Sequence, residues 1–234
     1  RLALRVVNLP AVIRALPLAG IGLVSLVNWV AAWQLRRLPY YITKPIVLLG
    51  LIFFMVARVP ITPTRLPFLL GLVFSLLGDI FLIPKGTRWF LVGMGAFSIT
   101  QLMYIWGFST SKVSWPALVV GVVAYLVGVF LIHLVVNRFS ESSNVNKAIL
   151  PFMKGYGAMV LAMSMSALLC LARPDWPDWA AVMAGIGGVL FFLSDGMIAL
   201  EKLDRRLPKT RFWIIFTYHL AQFLIVAAVM QLPA

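Results

Sequence analysis

Eight apolar stretches, most of them close to the length of a membrane-crossing helix, follow one another through this chain with only short connections between them. They run roughly over 16–34, 44–58, 66–83, 89–108, 116–136, 149–172, 179–200 and 212–232. About 20 apolar residues in a helix cross the hydrocarbon core of a bilayer. The second stretch is short as it stands and reaches full length if it is extended back through Tyr40, Tyr41 and Ile42. Connections such as Pro84–Arg88 and Ser109–Trp115 are too short to fold by themselves, so residues 1–234 read as a single all-α domain, a bundle of about eight transmembrane helices. The composition agrees: 62% of the residues are hydrophobic and 12% charged, against roughly 45–50% apolar residues in soluble domains. Residues 1–15 carry Arg1, Arg5 and Arg14 among apolar residues and read as an interfacial segment or part of a first span, without a cleavable signal pattern. The chain starts at Arg1 rather than Met, which leaves room for processing upstream.

The net charge of +13 is distributed in short clusters between the apolar stretches, where lipid phosphate is a nearer partner than nucleic acid. Arg36, Arg37, Lys44, Lys85, Arg88, Arg138, Lys147 and the cluster from Lys202 to Arg211 flank the connections after odd-numbered segments. The opposite side holds fewer cations, among them Arg58, Arg65, Lys112 and Arg173. The positive-inside rule then places the odd connections in the cytoplasm. Trp89, Trp176 and Trp179 read as interfacial anchors. One cysteine, Cys170, and two histidines cannot supply an ordinary zinc site without carboxylates.

Against this background two acids stand out: Asp79 in FSLLGDIFLI and Asp195 in FFLSDGMIAL. A carboxylate inside a span costs about 2.5–3.5 kcal/mol on insertion scales, so it needs a partner or a task. Both lie about one turn from an odd-numbered connection, hence toward one membrane face. Lys154, His133, Asn28, Tyr218 and His219 fall within about two turns of the same face. Helical spacing adds Ser75 with Asp79, Thr100 with Tyr104, and Tyr218 with Gln222 on shared faces. These groups would line a polar cavity opening toward the odd connections, continuing into an apolar tunnel. Either acid could instead lock helices by pairing with a lysine. The glycines at 185, 187 and 188 are most simply a close helix contact, since no strand precedes them to make a phosphate loop.

In order along the chain, the fragments Lys44-Pro45, SLLGDIFLI, FLVGMGAFSITQLMYIWGF, Tyr156 and Met163, LFFLSDGMIAL and TYHLAQFLI resemble the lysoplasmalogenase, or YhhN-like, membrane protein family over nearly the whole length. Gln101 stands where that family often has His, His219 where a second Tyr is common, and Lys154 at a usually apolar position. The resemblance implies an eight-helix bundle that hydrolyses the vinyl ether of lysoplasmalogens to a fatty aldehyde and glycerophospho-ethanolamine or -choline. One carboxyl would protonate the vinyl ether while the other stays ionised and stabilises the cation that forms, a division of labour known from glycosidases. Asp79 and Asp195 are the catalytic candidates. Tyr104, Tyr218, His219 and Gln222 would hold the water and glycerol hydroxyl, with Lys44 and Lys154 toward the phosphate and Tyr156 as a further substrate-binding candidate. That chemistry requires neither metal nor organic cofactor. The expected partners are a lysophospholipid substrate and membrane lipids, with no nucleic acid and no obligate protein partner. The expected site is the inner membrane in a bacterium, or the endoplasmic reticulum in a eukaryote. A proton-coupled lipid or solute transporter is the alternative, although the two aspartate segments run in the same direction and no inverted repeat is visible.

Overall fold

The computed structural model describes residues 11–141 and 144–232, with side chains from Pro17 onward. The described residues form eight α-helices and no strands: α1 (Ala11–Trp33), α2 (Arg37–Arg58), α3 (Leu66–Phe81), α4 (Thr87–Phe108), α5 (Trp115–Ser140), α6 (Leu150–Leu168), α7 (Asp178–Lys202) and α8 (Thr210–Met230). Single 3₁₀ turns, Lys147–Ile149 and Leu169–Ala172, flank α6. Six helical stretches are long and apolar enough to cross a membrane, so this is a multi-pass integral membrane protein. The apolar stretch Pro17–Trp33 of α1 and helix α3 are shorter. Most of the segment read as interfacial, residues 1–15, lies outside the described residues; residues 11–15 belong to α1.

In a membrane the outward face of a helix is as apolar as the inward one, so the inward stripe is recognised by spacing rather than by hydropathy. In α2 it comprises Tyr40, Lys44, Val47, Leu48, Leu51, Phe54 and Met55, a repeat of three and four residues. Lys44 therefore sits two turns inside α2 and faces the bundle, rather than opening the helix at the surface. The extension of the second stretch back through Tyr40 is present and reaches Arg37. Helix α7 continues to Lys202, which places Asp195 about two turns from its end instead of one. Asp79 lies two residues before the end of α3.

Helix α7 packs most extensively on α8, and α3 on α4; α5 packs chiefly on α6 and exposes most of its surface. Close approach is paid for in side-chain volume. A Cβ added at Gly187 would stand 3.1 Å from the Ala221 carbonyl oxygen, and one at Gly188 would stand 2.7 Å from Ala167 Cβ, as expected of a close helix contact. Gly71 makes room on α3 for the ring of Tyr104. Replacing Gly71 with Ala forces that ring aside, an overpacking that costs about 1–3 kcal/mol. Thermal unfolding in detergent should show the loss, and an unchanged midpoint would mean that the ring yields freely.

Trp176 departs from its expected place. It is buried against Phe68 and Phe108, with ring centroids 6.3 and 5.7 Å away, whereas Trp179 and Trp89 are exposed. Arg65 is also buried and donates to carbonyls at the end of α8, with Val229 and Leu232 as acceptors. These donations satisfy helix-terminal oxygens that have no partner within the helix.

Candidate functional site

The inward stripes of six helices, α2, α3, α4, α6, α7 and α8, bring polar side chains together in one region. Lys44 Nζ lies 2.8 Å from Asp79 Oδ1, and this pair is almost completely buried. In the low dielectric of a membrane bundle each charge is tolerable because of the other. Lys44 also interacts electrostatically with Asp195, and the two carboxyl groups interact with each other. Asp195 is only partly buried and accepts a hydrogen bond at Oδ2 from the Tyr156 hydroxyl. The two aspartates are thus held differently, one by a cation and one by a phenol.

Tyr218 stands between these groups and the aromatic core, which it meets edge to face. Its ring centroid is 5.5 Å from Lys44 Nζ and 5.5 Å from the Phe191 centroid. Its hydroxyl faces Asp79, Ser75 and Gln222 without meeting any of them in hydrogen-bonding geometry. Asp79 Oδ2 and both amide atoms of Gln101 are likewise buried without a hydrogen-bond partner among the described residues. Gln101 faces Tyr156. Buried polar atoms are nearly always bonded, and leaving one unsatisfied costs about 1–3 kcal/mol. Around the two aspartates there is therefore unused capacity to donate and accept.

Tyr104 and Gln222 use theirs on each other. The Tyr104 hydroxyl donates to Gln222 Oε1 at 2.6 Å, Gln222 Nε2 donates to Ser75 Oγ at 3.0 Å, Ser75 to Thr100 Oγ1 at 3.2 Å, and Thr100 to the Gly71 carbonyl at 3.1 Å. This relay ties α3, α4 and α8 together under the site. Lys154 lies elsewhere: it donates to Asn137 Oδ1 at 2.6 Å and stands 3.4 Å from His133 Nε2, both on α5. A single residue, Gly155, separates Lys154 from Tyr156, so on a helix they point in nearly opposite directions. His219 Nδ1 accepts from Trp29 Nε1 at 3.2 Å, which turns the ring toward α1. Asn28 donates to the Tyr40 carbonyl at 2.8 Å and to Thr43 Oγ1 at 2.7 Å, joining α1 to α2.

A cavity of about 440 Å³ descends to this cluster from the side of the odd connections. Lys44 and Asp79 lie in its wall together with Tyr40, Tyr41 and residues of the α3–α4 connection. Asp195, Tyr218 and Gln222 are not among its lining residues, and its apolar lining includes Leu82, Ile83, Phe90, Ile198 and Ile214. In the opposite half, Phe68, Tyr104, Phe108, Trp176 and Phe191 form a buried aromatic layer. Among the described residues no group of His, Cys, Asp and Glu is arranged to hold a metal.

The YhhN family profile matches residues 40–229, a stretch that contains every member of this polar cluster. The chain belongs to the YhhN family. This YhhN protein is 32% identical to the cattle (Bos taurus) protein named lysoplasmalogenase TMEM86A over 158 residues, 67% of this chain and 62% of that one. It is 31% identical to human (Homo sapiens) lysoplasmalogenase TMEM86B over 159 residues, 68% of this chain and 61% of the relative. The matched stretch thus spans about three fifths of these relatives. No solved structure matches this YhhN protein.

Of the residues singled out in sequence, the structure brings Asp79, Asp195, Lys44, Tyr156 and Tyr218 into one neighbourhood, with Tyr104 and Gln222 bracing it. It places Lys154 on α5's side and His219 against α1. Gln101 carried only the signal of a departure from the family pattern. Its position one turn from Tyr104, on the inward stripe of α4, is what could have marked it.

Proposed function

We propose that this protein is a membrane hydrolase of the vinyl ether bond of lysoplasmalogens, built as one helical domain. The observation that carries the reading is the convergence of two carboxyl groups from α3 and α7 around a single buried lysine, close to the floor of a cavity open at one face. Membership in the YhhN family and similarity to proteins named lysoplasmalogenases support it. The native headgroup is ethanolamine or choline phosphate on the same reading.

The different environments of the two acids suggest different tasks. Asp79, paired with Lys44, is the permanent anion. Asp195, bonded to Tyr156 and, among the described residues, without a cation at ion-pair distance, is the proton carrier. Asp195 delivers its proton to the β-carbon of the vinyl ether, and positive charge develops at the α-carbon and ether oxygen beside Asp79. Water adds to the α-carbon and gives its proton back to the Asp195 carboxylate. The hemiacetal then breaks its bond to the glycerol oxygen, yielding aldehyde and alcohol. The unbonded atoms of Gln101 and Tyr218 are suited to hold that water, because an amide or phenol offers both a donor and an acceptor. A preorganised anion beside a developing cation is worth several kcal/mol of barrier.

Transport requires access from both faces in alternation. The buried aromatic layer beneath the cluster favours the hydrolase, since a solute leaving toward the even connections would have to part it. Residence in a bacterial inner membrane or an endoplasmic reticulum membrane is part of this proposal. The deciding experiment is aldehyde release by detergent-purified protein from a defined lysoplasmalogen, with the saturated ether as control. Aldehyde from the first substrate alone is expected; none from a folded preparation would overturn the reading.

A further inference from the structure

We infer that the mouth of the cavity is a phosphate subsite, made by Lys85, Lys202, Arg206 and Arg211, which holds the headgroup of a single-chain lysolipid. The inference rests on the hydrolase reading for the identity of the lipid, but the site itself stands on geometry. These four cations line the same cavity as the Lys44–Asp79 pair, with Glu201 as the one other carboxylate. Since Lys44 and Asp79 neutralise each other, the wall as a whole is strongly positive.

Cations at a membrane face often do no more than set orientation or touch bulk headgroups. Two of these are held in place more firmly than that. The Arg211 guanidinium lies over the Tyr40 ring at 5.4 Å, and Lys202 Nζ lies over the Phe90 ring at 4.3 Å. Cation–π contacts of this kind fix a charge against the wall without neutralising it. Arg206 is braced by Glu201, with 3.5 Å between Nε and Oε1. Helices α4 and α8 begin at this cavity, at Thr87 and Thr210, so their first-turn amides and positive dipole ends add to the same field.

The two lysines expected to meet the phosphate are engaged elsewhere, Lys44 with Asp79 and Lys154 with α5. A phosphate at the mouth answers a further requirement. Only the three-carbon glycerol separates it from the ether oxygen, so a headgroup bound there places the ether bond deeper, toward Asp79. The volume of about 440 Å³ falls within the range of small-molecule pockets, roughly 300–1,000 Å³.

Binding of two lipids that cannot be hydrolysed tests this without depending on turnover: a saturated alkyl lysophosphatidylethanolamine and the matching phosphate-free monoalkylglycerol. Wild type should bind the phosphorylated lipid at least tenfold more tightly, and the double variant Lys202→Gln/Arg211→Gln should lose that preference while still binding monoalkylglycerol. Lys202→Arg/Arg211→Lys should retain it, which separates charge from folding, and Lys112→Gln on the opposite face should leave it unchanged. Equal preference in the Gln variant and wild type would overturn the subsite. Tight binding of inorganic phosphate or glycerol 3-phosphate, matching that of the lipid, would assign the cations to a free anion and overturn the lipid part. If aldehyde release fails while the preference persists, the hydrolase reading falls and the subsite stands. Aldehyde release without any preference for the phosphorylated lipid overturns the subsite and leaves the hydrolase in place.

Discussion

Asp195→Asn is expected to lower aldehyde release from a lysoplasmalogen by about 10²–10⁴-fold, the usual worth of a general acid, while leaving thermal stability close to wild type. Asparagine keeps the size of the side chain and an acceptor for the Tyr156 hydroxyl, but it has no acidic proton. Asp195 is only partly buried and has no cation at ion-pair distance among the described residues, so its replacement breaks no buried ion pair there. The loss should fall on kcat, because the proton is needed in the transition state and not for binding. Tyr156→Phe removes the hydrogen bond that orients the acid, and a smaller decrease in kcat is expected. Near-normal turnover by a folded Asp195→Asn protein would remove this residue from the chemistry.

The second large effect is on folding as well as on rate. Asp79→Asn leaves the buried Lys44 ammonium without its ion-pair partner, and Lys44→Met does the same to the Asp79 carboxylate. Breaking a buried pair from one side costs about 3–5 kcal/mol, whereas replacing both members by neutral groups is often nearly neutral. Each single variant should therefore unfold at a clearly lower temperature, and Lys44→Met/Asp79→Leu should recover most of the difference. Turnover should stay lost in the double variant, since the anion beside the developing cation is gone. A double variant that recovers both stability and activity would reduce the pair to a helix lock.

Chain length and apolar runs are enough to place all eight helices to within a turn or so at most ends, because the bilayer sets a length that few sequences match by accident. Depth is harder to read. Hydropathy ends a segment at its first charge, so Lys44 looks like the edge of a span although it belongs to the inward stripe with Val47, Leu48 and Leu51. Helix α7 likewise runs past Glu201 to Lys202, which moves Asp195 a turn deeper than its apolar segment suggests. Rotation is the other gap. A helix that is apolar toward lipid and apolar toward its neighbours shows no one-sided pattern, so nothing local tells Lys154 from Tyr156, or Trp176 from Trp179. Polar residues three or four apart are the exception, and Tyr218 with Gln222 and Ser75 with Asp79 do share faces. Three members of the cationic mouth share the α7–α8 connection and are legible as a cluster, but nothing in the sequence shows that Lys85 from the α3–α4 connection joins them.

Helix α5 has a mechanical consequence of its own. It contributes no side chain to the polar cluster and is fastened mainly to α6, with Lys154 bonded to Asn137 as a polar bolt. A bilayer that thickens or thins acts first on the spans with the most lipid contact, by changing their tilt. Here that span is an outrigger, and its movement is passed on by α6, which packs against α7 and holds Asp195 through Tyr156. The carboxylates thus stand one helix inward of the span most exposed to lipid, and α6 is the element that would carry its strain to them.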